Sequence, residues 1–316
     1  MNVKVKGYIL GAVAAATYGM NPLFTLPLYK EGMDPDSVLF FRYLFAIPIL
    51  GIMLKVRGRN FKLKQKEVLP LIILGWLVAI SSLTLFQSYN YMEAGIASTI
   101  LFVYPILVAL IMAVIFKEKI TLQTILCILL ALSGIGLLYK GGDGATLSLI
   151  GVGLVMGSAL SYAIYIVGVN RPILKDVATL KVTFYVLLFG LSLFLVRVDF
   201  GQSLHIVDKW YLWGNLLALA LFPTAISFLC TTQAIQDIGS TPTAILGALE
   251  PVTAVFFGVT IFGESLTLRL TCGIILIILA VTLIIAGGNI TTHLVRFRKL
   301  FPRLPLKHTR NKQPHL

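Results

Sequence analysis

Charge is scarce in this chain of 316 residues: only 12% are Asp, Glu, Lys or Arg, against 58% hydrophobic residues. Soluble domains carry about twice that share of charge. With a mean hydropathy of +0.91, the chain is read as an all-α, polytopic membrane protein. Its three cysteines, Cys127, Cys230 and Cys272, stand singly in apolar runs, so neither a disulfide framework nor a zinc site is indicated. Four histidines all fall in loops or in the tail, and neither HExxH nor GxxxxGK[ST] occurs. Those absences exclude the common intramembrane metalloprotease and the P-loop ATPase. No cofactor, metal or enzymatic cluster is expected.

Apolar segments of spanning length do recur. A helix crosses the hydrocarbon in about 20 residues. Cutting at charge, Pro and Gly gives ten spans, near 7–29, 37–54, 68–91, 95–116, 121–139, 147–170, 177–196, 210–234, 240–262 and 267–287. The first could be taken for a signal peptide, but apolar character runs past Ala16 to Leu28, which favours a retained helix. Nineteen of the 26 lysines and arginines lie in segments 4–6, 55–66, 117–119, 171–175 and 296–312. Only Lys30, Lys140, Arg197, Lys209 and Arg269 lie in the alternate loops, with Arg42 and Lys181 inside helices. Positive residues favour the cytoplasmic side, so both termini are expected there. The net charge of +13 is then a topology signal and not a nucleic-acid footprint. Residues 291–316 read as a basic, disordered cytoplasmic tail.

The chain also repeats itself. Shifted by 146 residues, 81–142 aligns without a gap on 227–288 with fourteen identities. They include Ser81/Ser227, Gln87/Gln233, Pro105/Pro251, Glu118/Glu264 and Thr121/Thr267. Nearer the start, Thr17-Tyr18-Gly19 echoes Ser161-Tyr162-Ala163. Five helices per unit is an odd number, so the second unit enters from the opposite face. Units 1–142 and 143–290 are therefore expected as inverted repeats around a central cavity, the architecture of alternating access.

These pieces carry a resemblance. "FFRYLFA" (40–46), "VYPILVALIMAVIFKEKIT" (103–121) and "LEPVTAVFFGVTIFGESLT" (249–267) resemble the EamA-type members of the drug/metabolite transporter superfamily. The resemblance implies a plasma-membrane protein, in bacteria the inner membrane, that exports or exchanges small metabolites such as amino acids. Lys117 departs from the pattern, standing where the second copy has Gly263.

The candidate substrate-binding residues follow from depth and repeat position. Glu250 lies about ten residues into its span, hence near mid-membrane at about 1.5 Å per residue. An intramembrane acid there binds a substrate ammonium or a coupling proton; otherwise it is a buried carboxyl locking two helices. Its repeat partner is Tyr104, and the prolines after both are expected to free a carbonyl one turn earlier. Gln87 and Gln233 can offer amides from both halves, or bond helix to helix. Asn21 sits at a proline break with Tyr165 as its rough counterpart, and Tyr18 and Tyr162 can wall the cavity. Arg42 either snorkels to the interface or pairs with a substrate carboxylate or Glu250. Glu118 and Glu264 read as helix caps, with gate contacts as the sharper alternative. Expected partners are a small-molecule substrate, the lipid bilayer and a candidate coupling proton, without nucleic acid; no pattern fixes an oligomeric state. A lipid flippase or accessory subunit is the main alternative, and a membrane-embedded transferase a weaker one.

Overall fold

The computed structural model describes residues 2–92, 100–118, 120–138, 148–262 and 271–280, with Ala97, Leu268, Arg269 and Leu283. The described residues are helices and connectors, without strands. In chain order they are α1 (Val3–Tyr18), α2 (Asn21–Lys30), α3 (Pro35–Val56), α4 (Gln65–Ser88), α5 (Tyr104–Phe116) and α6 (Leu122–Leu138). The second half holds α7 (Leu149–Val169), α8 (Thr179–Arg197), α9 (Trp210–Ala220), α10 (Ser227–Ile238), α11 (Ser240–Leu246), α12 (Leu249–Phe262) and α13 (Thr271–Ala280).

Among the described residues, six stretches are long and apolar enough to cross a membrane: Val3–Lys30, Pro35–Val56, Gln65–Ser88, Leu149–Val169, Thr179–Arg197 and Trp210–Ile238. Tyr104–Phe116, Leu122–Gly134 and Thr271–Ala280 are apolar but shorter. The expected ninth span is divided where α11 ends and α12 begins, because Gly247 and Ala248 close a tight turn with N–H bonds to Ala244 and Ile245. Two of the long spans are themselves broken. Val3–Lys30 breaks at Gly19-Met20 and restarts with Asn21-Pro22, a proline where a first-turn N–H would be idle anyway. Trp210–Ile238 contains a π-helical turn, Leu221–Ile226, around Pro223. Such insertions locally widen the helix and often mark functional sites.

The helices start for readable reasons. The Asp34 carboxylate accepts the Ser37 N–H at 3.0 Å to cap α3, and Ser148 caps α7 through Gly151 at 3.3 Å. Lys117, which ends α5, has φ +54°, a left-handed conformation that glycine takes freely. The second copy carries Gly263 at that position, outside the described residues.

The most extensive packings are α4 on α7 and α1 on α10. Each sets the third span of one half against the first span of the other. Side chains repeat the relation: Ser227 donates to the Ala14 carbonyl at 2.9 Å, while Ser81 meets Ser158 at 3.0 Å. Ser81 and Ser227 are repeat partners, as are Ala14 and Ser158 when Tyr18 is set on Tyr162.

One face of the bundle is fastened by the ion pairs Arg197–Asp36 at 2.8 Å and Lys209–Glu31 at 2.6 Å, and by a hydrogen bond between His205 Nδ1 and Asp34 Oδ1 at 2.8 Å. The other carries the 57–66 loop, whose Asn60 and Lys62 carbonyl accept from Lys181 at 2.9 and 3.0 Å.

Candidate functional site

Where the two halves meet, a small cavity of about 20 Å³ is lined by α1, α5, α7, α10, α11 and α12. That volume accommodates roughly one water. Tyr18, Tyr104, Tyr162 and Glu250 all line it, with Ser227, Thr231 and Thr243. Four of the eight expected substrate-binding residues therefore converge on one space.

The aromatic wall is built around the repeat. Tyr18 and Tyr162 stack with centroids 6.3 Å apart and planes 13° apart. The two repeat partners therefore touch each other directly, one from each half of the sequence. Tyr104 packs edge-on to Tyr162 at 5.0 Å, and its hydroxyl donates to the Ala244 carbonyl at 3.1 Å. That hydroxyl occupies the space a Cβ at Gly247 would need. Glu250 is half-buried, and its backbone carbonyl lies against Gly19, again where a Cβ would sit. Both helix breaks thus depend on a missing side chain. The carbonyl expected to be freed by Pro251, that of Gly247, instead accepts the Glu250 N–H at 2.9 Å in the turn.

Arg42 does not snorkel: it is wholly buried. Its Nε donates to Thr224 Oγ1 at 2.6 Å and its Nη2 to the Pro223 carbonyl at 3.1 Å, so it clasps the π-helical turn. Nη1 has no partner. The guanidinium lies 5.8 Å from the Tyr18 ring centre and 5.4 Å from that of Phe86, cation–π distances. No ion pair joins Arg42 to Glu250 among the described residues.

The other expected residues lie apart from the lining. Tyr165 is fully buried behind Tyr162, stacked at 5.9 Å, and meets Thr232 at 3.4 Å. Asn21 is 2% exposed with both amide atoms unpaired. Gln87 is half-buried near the end of α4. Gln233 sits in a separate network with Thr179 and Asp237. Glu118 borders a second pocket with Ala109, Thr121 and Thr241. Glu264 lies outside the described residues. Sequence reasoning missed Thr224, Thr231 and Thr243 as site residues; Ser227 had a signal, its identity with Ser81.

A model of the EamA-like transporter family matches twice, over residues 5–140 and 149–286. The chain belongs to the EamA-like transporter family. It is 25% identical over 290 residues to the uncharacterized transporter YvbV of Bacillus subtilis, covering 89% of this chain and 92% of that one. An uncharacterized transporter of Archaeoglobus fulgidus is 30% identical over 244 residues, covering 77% and 83%. A crystal structure with 18% identity superposes with a TM-score of 0.72, over 93% of this chain and 98% of that one. This is therefore a membrane transporter protein.

Proposed function

We propose that the protein is a secondary transporter, not an enzyme, that exports or exchanges a small polar metabolite, an amino acid or related compound, by alternating access. In this reading ten spans form two inverted five-helix halves, 1–142 and 143–290, in the plasma membrane, with both termini and the basic tail in the cytoplasm. The observation that carries it is the convergence on one small cavity of Tyr18 with its repeat partner Tyr162 and of Tyr104 with its partner Glu250. Two similar halves of opposite orientation can pack in two ways of nearly equal energy, each opening the shared site to one face. Glu250 then holds the substrate's ammonium or takes up a coupling proton, and Arg42 is the nearby counter-charge.

The test is counterflow in proteoliposomes with a pooled, labelled metabolite panel. Wild type accumulates a polar solute, and Glu250→Gln loses uptake or its pH dependence. Equal behaviour of the two proteins would make Glu250 a packing residue. The lipid-handling alternative is favoured by one feature: an apolar groove of about 530 Å³ between α4 and α7, lined by Ile73, Leu77, Ile164 and Ile173. Lipid scrambling by vesicles that move no solute would bring that reading forward.

A further inference from the structure

Away from the cavity, the last turn of α10 meets the start of α8 through four side chains. Gln233 Nε2 donates to Asp237 Oδ1 at 2.8 Å, and Gln233 Oε1 lies 2.6 Å from the Thr179 hydroxyl. Gln236 Oε1 lies 2.7 Å from the same hydroxyl, while its Nε2 donates to the Val177 carbonyl at 3.4 Å. A threonine hydroxyl has one hydrogen and cannot donate to two carbonyl oxygens. One short oxygen–oxygen contact is therefore left without a proton. Asp237 Oδ2 is shielded from solvent and has no partner.

Two arrangements remove the conflict, because amide oxygen and nitrogen can exchange places by a half-turn. With Asp237 ionised, Gln233 Nε2 donates to the carboxylate and Thr179 donates to Gln233 Oε1. Gln236 must then turn over to donate to Thr179, and the Val177 carbonyl loses its donor. With Asp237 protonated, the carboxyl O–H donates to Gln233 Oε1 and Gln233 Nε2 donates to Thr179. Thr179 donates to Gln236 Oε1, and Gln236 Nε2 keeps the Val177 carbonyl. In that second arrangement every donor has one acceptor. One proton thus reverses the direction of the whole chain and decides whether the backbone entering α8 is held to α10.

We infer that Asp237 is a proton-binding site separate from the central cavity, and that its proton fastens the start of α8 to the end of α10. Asp237 is met by α1 at Gly7, whose missing side chain makes room for the Asp237 Cβ. The ionisable groups on neighbouring elements are Lys4, Lys6, Tyr8 and Tyr18 of α1, Asp176 just before α8, and Lys181, Tyr185 and Arg197 of α8. Tyr162 and Tyr165 of α7 complete the set. Lys181 and Tyr185 are engaged by the 57–66 loop, and the α7 tyrosines by each other. No hydrogen bond or ion pair joins any of them to Asp237 among the described residues. This site goes beyond the Glu250 reading and does not rest on it.

The experiment combines infrared pH-difference spectra with hydrogen exchange on the purified protein in lipid nanodiscs. In wild type a protonated-carboxyl band grows as pH falls, and protection of amides 177–183 rises about fivefold, the effect of one hydrogen bond. Asp237→Asn removes that band and makes protection independent of pH, because the Asn amide donates to Gln233 as the protonated acid does. Glu250→Gln leaves both signals in place, whatever its effect on transport. Thr179→Val keeps the band and loses the change in protection, and it decides the matter if Asp237→Asn does not fold. Persistence of every titrating carboxyl band in Asp237→Asn, or of the protection change in Thr179→Val, overturns the inference.

Discussion

Gly247→Ala offers a sharp test of how the divided span is held. The backbone there has φ −54° and ψ −21°, which alanine adopts without strain and with a helix propensity about 1 kcal/mol better than glycine. Any loss of stability must therefore come from the new methyl group. That methyl occupies the place of the Tyr104 hydroxyl, which must leave the Ala244 carbonyl. A buried hydroxyl stripped of its bond costs about 1–3 kcal/mol, and overpacking adds about 1–3 more. Set against alanine's better propensity, Gly247→Ala should then destabilise by about 1–5 kcal/mol, and Tyr104→Phe by about 1 kcal/mol. Phenylalanine lacks the oxygen that collides, although ring carbon Cζ would still be 2.9 Å from the methyl. The double variant should recover about 2 kcal/mol of the summed cost, short of full rescue. Equilibrium unfolding in mixed micelles measures all three. Additivity to within about 0.5 kcal/mol would show that Tyr104 is not seated on Gly247, and the account of this helix break would fail.

Three further outcomes are expected. Burial alone would raise the Asp34 carboxyl, but bonds from Ser37 and the neighbouring His205 outweigh it and hold the group below its ordinary value. A depressed carboxyl stabilises the fold above its unfolded value, near pH 4, and loses that contribution as pH falls through the folded one. Thermal stability measured from pH 7 to pH 3 should therefore fall less for Asp34→Asn than for wild type. At Arg42, removing only its acceptor is worse than removing the charge: Thr224→Val strands a buried N–H at about 1.5–3 kcal/mol, whereas Arg42→Met replaces the ion with apolar volume. Unfolding curves should rank Thr224→Val below Arg42→Met, and the reverse order would refute the clasp. In counterflow, Glu250→Gln should abolish uptake or flatten its pH profile while leaving the unfolding midpoint within about 1 kcal/mol of wild type.

Much of the site is legible in the amino-acid sequence, because repetition is a strong signal in a chain with few other marks. The local match pairs Tyr18 with Tyr162, the prolines pair Tyr104 with Glu250, and all four line the cavity. Arg42 misleads for a physical reason. Depth in a span suggests snorkelling, while the π-helical turn that accepts from it comes from Pro223, 181 residues away. Apolar periodicity does not encode a π turn, so neither Thr224 nor its role has a signal. Gln233 matches Gln87 in sequence, yet it is drawn to Thr179 and Asp237, partners that only the packing of α10 on α8 brings near. Span count is the least legible feature. Among the described residues six stretches meet the length and composition of a crossing, and the break at Gly247 divides the ninth expected span, which the hydropathy pattern runs together.

The unequal pair at the repeat position, tyrosine in one half and glutamate in the other, has a consequence for traffic. A carrier with identical halves would look the same to a solute arriving from either side. In the proposed alternating-access cycle the acid belongs to one half alone, so turning the molecule inside out would not restore the same wall. Loading from the two faces should accordingly saturate at different concentrations. That difference alone cannot set where movement stops: a carrier without an energy source ends at equal electrochemical potential, however lopsided its two doors. Any net accumulation must be drawn from a second gradient, and the lopsidedness only decides which direction runs faster on the way.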